Sequence, residues 1–172
     1  MNPIKNPTYI LFSLVLMLGA FSSSAQDSLQ YADEVHFKNI RQLTFGGDNA
    51  EAYFSFDGKW LVFQKTFAKE GIPCDQIYIG KIPTKPSEKF EPKLISTGKG
   101  RTTCGAFLKD NKHVVYASTH LSNADCPPVP DRTQYGNKYI WPLYPTYDIF
   151  IADLNGKIVK QLTDHPDDPS TA

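Results

Sequence analysis

The chain has 172 residues, and the ones able to do chemistry are few: three cysteines, four histidines and a scatter of serines and carboxylates. No Gly-x-Ser-x-Gly elbow is present, so the stretch carries no nucleophile of the α/β-hydrolase type. His36, His113 and His120 stand in strand-like contexts with no triad partner at a useful spacing. Gly98-Lys99-Gly100-Arg101-Thr102-Thr103 falls short of a phosphate loop, because Lys-Ser/Thr after glycine is missing and no helix follows. It reads as a connecting loop. Asp164-His165-Pro166-Asp167-Asp168 has carboxylates of the kind that bind hard cations, and reads instead as a solvated acidic loop. Cys74, Cys104 and Cys126 lack the short Cys-x-x-Cys spacing of zinc or redox motifs. No cofactor or metal site is expected.

One segment is richer. Leu121 to Thr146 holds Tyr135, Tyr139, Trp141 and Tyr144 among five prolines. A proline-stiffened loop of aromatic rings loses little entropy on binding and offers large amphipathic contacts. Such rings equally well pack down and cover the fold, and the sequence leaves both readings open.

The elements that position these residues begin after an N-terminal segment. Lys5, the apolar run Tyr9 to Phe21 and the small residues Ser22-Ser23-Ser24-Ala25 have the layout of a secretory signal peptide, with cleavage expected after Ala25. The run is shorter than the roughly 20 residues a membrane span requires. An exported, periplasmic or secreted chain with no stable membrane span is expected. In an oxidising compartment three cysteines give one disulfide and one thiol. The end of a second strand lies beside the start of the first, so Cys104–Cys126 is the expected pair, with Cys74 as the rival. Asn6 precedes Pro7, so no Asn-x-Ser/Thr acceptor exists.

The remainder repeats itself. Arg41 to Gln64 aligns with Pro92 to Ala117: Leu43 falls on Leu94 and Phe54 on Phe107. Asp57-Gly58-Lys59 falls on Asp110-Asn111-Lys112, and Leu61-Val62-Phe63 on Val114-Val115-Tyr116, an offset of 53. Asp75 to Ile79 returns as Tyr147 to Ile151 at an offset of 72, so the second copy has a 19-residue insertion. Each copy reads as four strands. In the first they are Ala52 to Phe56, Trp60 to Lys65, Gln76 to Ile82 and Pro92 to Ser96. In the second, Asp148 to Asp153 and Ile158 to Thr163 are the last two. Asp57-Gly58 and Asn155-Gly156 supply hairpin turns.

No helical apolar period persists outside the signal segment, so the fold is all-β. Four-stranded units at this spacing mark a β-propeller. The expected organisation is 1–25 signal peptide, 26–40 an N-terminal segment with a closing strand, and 41–97 a first blade. Then 98–163 is a second blade with insertion 121–146, and 164–172 the start of a third. A longer protein is expected, monomeric when full length.

Leu43-Thr44, Ser55-Phe56-Asp57-Gly58-Lys59 and Ile77-Tyr78-Ile79, repeated as Ile149 to Gly156 and Gln161-Leu162-Thr163, resemble the propeller repeat of the TolB family. The resemblance covers Arg41 to Thr163. Phe56 replaces the usual proline, Asn111 replaces glycine, and Gln26 to Ile40 is too short for the small domain preceding the TolB propeller. The resemblance implies non-catalytic binding of a protein or peptide partner in the cell envelope. The same repeats also form the accessory propeller of prolyl-oligopeptidase-like serine peptidases, whose catalytic domain would lie beyond Ala172. With 18 basic against 18 acidic residues, no electrostatic pull toward nucleic acid exists.

Overall fold

The computed structural model describes residues 31, 33–136 and 138–164. The signal-peptide reading of 1–25 and most of the acidic loop, 165–168, lie outside the described residues. The chain divides into Met1–Arg41 and Gln42–Ala172. In the first unit the described residues form turns, with the Glu34 amide donating to the Tyr31 carbonyl, and no strand. The segment 26–40, where a closing strand for another blade is expected, has no strand among its described residues. A lone extended segment has no sheet neighbour to satisfy its backbone groups.

The second unit is all-β, two antiparallel four-stranded meanders. Sheet one comprises β1 (Asp48–Phe54), β2 (Trp60–Phe67), β3 (Ile72–Lys81) and β4 (Lys93–Leu94). Sheet two comprises β5 (Thr102–Phe107), β6 (His113–Ser118), β7 (Asp148–Asp153) and β8 (Ile158–Gln161). Strand order follows chain order in both. Alternation builds the faces: along β6, Val114, Tyr116 and Ser118 are buried while His113, Val115 and Ala117 are half-buried.

The turns share one device. The Gly58 amide donates to the Ser55 carbonyl, Asn111 to Leu108 and Gly156 to Asp153, with φ of +69°, +55° and +85° at the donor residues. The left-handed residue is thus the last of each tight turn, and Asp57 and Asp110 keep ordinary backbone. Their carboxylates accept amides instead: Asp57 from Lys59, Asp110 from Lys112 and His113, and Asp153 from Asn155 and Lys157.

A second device explains the Leu-Thr element of the repeat. The Ser96 hydroxyl donates to Gln76 Oε1 (2.8 Å) and accepts the Ile77 amide (3.0 Å). The Thr163 hydroxyl donates to Asp148 Oδ1 (2.7 Å) and accepts the Ile149 amide (2.8 Å). Each hydroxyl latches the end of a fourth strand onto the third strand of the same sheet. Leu94 pairs with Tyr78 and Gln161 with Phe150, so Ile95 and Ser96 match Leu162 and Thr163. The alignment of Leu43 with Leu94 is therefore one residue out: Ile95 is its partner.

The sheets share one core. Val62, Ile77, Ile79 and Ile95 from sheet one and its trailing strand meet Phe107, Val114, Tyr116, Phe150 and Ala152 from sheet two. A Cβ on Gly105 would sit 3.0 Å from Ile77 Cγ2 and Val62 Cγ2, so β5 approaches sheet one along its backbone. Both first strands carry a bulge, between Ala50 and Tyr53 and between Thr103 and Ala106. At its centre stand Glu51 (φ +49°) and Cys104 (φ +53°), non-glycine residues in the left-handed region.

The disulfide joins Cys74 to Cys126, with Cα atoms 6.0 Å apart, and Cys104 is the free, exposed thiol. This corrects the expected Cys104–Cys126 pair. Thr102 does oppose Ser118, as strand order requires. By Cys126, however, the chain has turned back toward sheet one, where the Gly100 amide donates to the Ala124 carbonyl. There the N-terminal extension of β3 presents buried Cys74. The bulge leaves Cys104 facing solvent.

Candidate functional site

Two strands of sheet one, the loop into β5 and the insertion between β6 and β7 converge on a cavity of about 200 Å³. Gln64 comes from β2, Asp75 from β3 and Thr103 from β5, with Arg101 just before it. The insertion contributes Arg132, Tyr139, Trp141 and Tyr144, and Tyr147 follows it just before β7. Its framework is local. Asp131 caps a 3-10 turn, Arg132–Tyr135, by accepting the Thr133 amide and hydroxyl, and Gly136 ends it at φ +63°. The Tyr144 hydroxyl donates to the Pro128 carbonyl across the loop (3.0 Å). Cys126 anchors the entry of the insertion to sheet one.

Of the four aromatic residues singled out by sequence, Tyr139, Trp141 and Tyr144 line the cavity. Tyr135 is exposed and lies off it. Tyr139 and Trp141 remain 74% and 64% exposed, with ring centroids 6.0 Å apart. They stand at the rim rather than inside the core.

Two guanidinium groups flank the rings. Arg132 lies 5.5 Å over the Tyr139 ring, and Arg101 lies 6.0 Å from the Tyr144 centroid. Arg101 Nη1 donates to Asp75 Oδ2 at 3.0 Å, while the second Asp75 oxygen accepts the Thr66 hydroxyl at 2.6 Å. Arg101 Nε is buried with no partner. Burial pushes the Tyr147 hydroxyl up to about 12, so it holds its proton and remains a donor at neutral pH.

The sequence did not point to Arg101, Arg132, Tyr147 or Asp75. Arg132 was findable, since a cation stands among stacked aromatics in a loop. Arg101 and Asp75 are not, because their meeting depends on how sheet two docks on sheet one.

Other reactive-looking groups are quiet. At Cys104 the Thr103 hydroxyl favours the thiolate, but burial and the Glu51 carboxylate together outweigh it and raise the thiol. It is not an activated nucleophile. Ser118 Oγ is within 2.9 Å of His120 Nδ1, and Ser118 is 1% exposed. Among the described residues no cluster of three His, Cys, Asp or Glu side chains is set to hold a metal ion. Among them, too, no helix is long and apolar enough to cross a membrane.

Compared with family models, curated proteins and solved structures, the chain matches none.

Proposed function

We propose that the two sheets are successive blades of an exported, TolB-like β-propeller. It acts as a non-catalytic scaffold that binds a protein or peptide partner in the cell envelope. The observation that carries the binding role is the aromatic insertion. Tyr139 and Trp141 are held apart from the core, over a cavity floored by both sheets, and the loop bearing them is tied down covalently. Large rings presented by a stiff loop give affinity at low entropic cost. The propeller reading is supported by the repeat motifs and by the packing of one face of sheet two on the opposite face of sheet one. The export reading rests on the N-terminal sequence.

A selection on the mature chain from peptides displayed on phage through their N-termini, so that their C-termini are free, repeated on Trp141→Ala, tests the role. Peptides enriched on the wild type and lost on the variant are expected. Absence of enrichment, or enrichment indifferent to Trp141, overturns it.

A further inference from the structure

We propose that the cavity beneath the aromatic insertion recognises the terminal carboxylate of a peptide, with the last side chain lying against Tyr139 and Trp141. This rests on the binding role proposed above and specifies its ligand.

The argument is a count of donors and acceptors. Arg132 brings five N–H groups and has no carboxylate partner among the described residues; its contact is the Tyr139 face. Asp131, its neighbour in the chain, spends its carboxylate on the cap of the 3-10 turn. The Trp141 indole N–H and the Tyr139 and Tyr147 hydroxyls add further donors, and Gln64 adds its amide N–H₂.

The carboxylate and amide oxygens are already engaged, and the tyrosine hydroxyls, which accept as well as donate, can turn their protons toward an anion. Both Asp75 oxygens are engaged, and Gln64 Oε1 accepts the Thr103 hydroxyl and the Cys104 amide, each at 3.3 Å. Two guanidinium groups against one carboxylate leave one positive charge. A donor-rich, acceptor-poor, cationic site selects a ligand that is all acceptor at one end. The planar fork of Arg132 fits a carboxylate through two parallel N–H···O bonds.

Size narrows the class. At about 200 Å³ the cavity is smaller than the roughly 300–1,000 Å³ of pockets that enclose a drug-sized ligand, which suits the end of a chain, a single residue, rather than a whole ligand. Aromatic walls ask for a flat or apolar side chain on that residue.

The test uses two fluorescein-labelled peptides, Gly-Ser-Gly-Phe with a free C-terminus and the same peptide as its amide, titrated by fluorescence anisotropy. D-galacturonic acid serves as competitor. The acid is expected to bind at least about tenfold tighter than the amide, the loss typical of a charge-assisted hydrogen bond. Arg132→Gln, a change on an exposed turn, is expected to erase that difference, and Arg132→Lys to restore part of it.

Equal binding of acid and amide overturns the carboxylate proposal and leaves the scaffold role standing. So does failure of both peptides when the phage selection still yields Trp141-dependent binders. Failure of every peptide in both experiments removes both readings. Competition by the sugar acid at lower concentration than by unlabelled peptide overturns the peptide source.

Discussion

Phe54 and Phe107 end the first strands of the two sheets at matching positions, yet Phe54 is 68% exposed and Phe107 5%. The inequality reverses on the opposite face. Ile77 and Ile95 are fully buried, while their counterparts Ile149 and Leu162 are 38% and 47% exposed. Like residues thus have unlike surroundings, because sheet two lays one face on the opposite face of sheet one. The contact is head-to-tail, and such contacts leave a complementary surface open at either end. Phe54 and Phe56 mark one open face, Ile149, Val159 and Leu162 the other. Burial in a repeat is set by the neighbour rather than by the residue.

The largest expected effect breaks the covalent part of that asymmetry. Cys74→Ser with Cys126→Ser opens a link spanning 52 residues. By loop-closure entropy the loss is about 4 kcal/mol. Urea unfolding checks it, and a loss under about 1 kcal/mol rejects the link as a main stabiliser. Second comes the pair Ile77→Ala and Ile149→Ala. The first is expected to cost about 3 kcal/mol, the second under about 1, since one leaves a cavity and the other trims a half-open surface. Equal costs would contradict the head-to-tail assignment.

Third is Tyr116→Phe, which makes sheet two match Phe63 of sheet one. The Tyr116 hydroxyl is buried without a partner, and burial holds it at about 12. Its removal is expected to raise stability by about 1 kcal/mol; a comparable loss would mean that an unseen partner satisfies it.

The smallest effect is acid sensitivity of the turns. Hydrogen bonds lower Asp57, chiefly from Ser55, Asp110, chiefly from His113, and Asp153, chiefly from the Lys157 amide. A carboxylate lowered on folding stabilises above its ordinary value of 3.8, and the gain is lost as pH falls through the folded value. Urea midpoints of Asp57→Asn and Asp110→Asn are therefore expected to fall less steeply below pH 4 than those of the wild type. An unchanged acid limb would show that these turns do not govern it.

Much of the fold is legible because strand alternation and turn chemistry are local. β7 occupies Asp148–Asp153, the span its apolar alternation marks. β1 is less so: it begins at Asp48, four residues before the apolar signal, because its polar, exposed half is held by backbone pairing to β2. The two bulges are invisible, since Glu51 and Cys104 are neither glycine nor asparagine. That hidden kink is what misdirects the disulfide, by turning Cys104 outward. The aromatic half of the candidate site is readable from one loop. Its charged half is not, because Arg101 and Asp75 come together only when one sheet rests on the other.

The Cys74–Cys126 bond also decides how the protein meets mechanical load. A pull along the chain passes straight from position 74 to position 126, leaving unloaded the segment that contains most of β3 and all of β4, β5 and β6. At about 3.4 Å per residue, on the order of 170 Å of contour length stays locked until the bond is reduced. In an oxidising compartment Asp75, Arg101 and Thr103 of the cavity are therefore shielded from tension at either end of the chain, while Gln64 and the aromatic rings lie outside the protected segment; a reducing one would expose all of them to stretching.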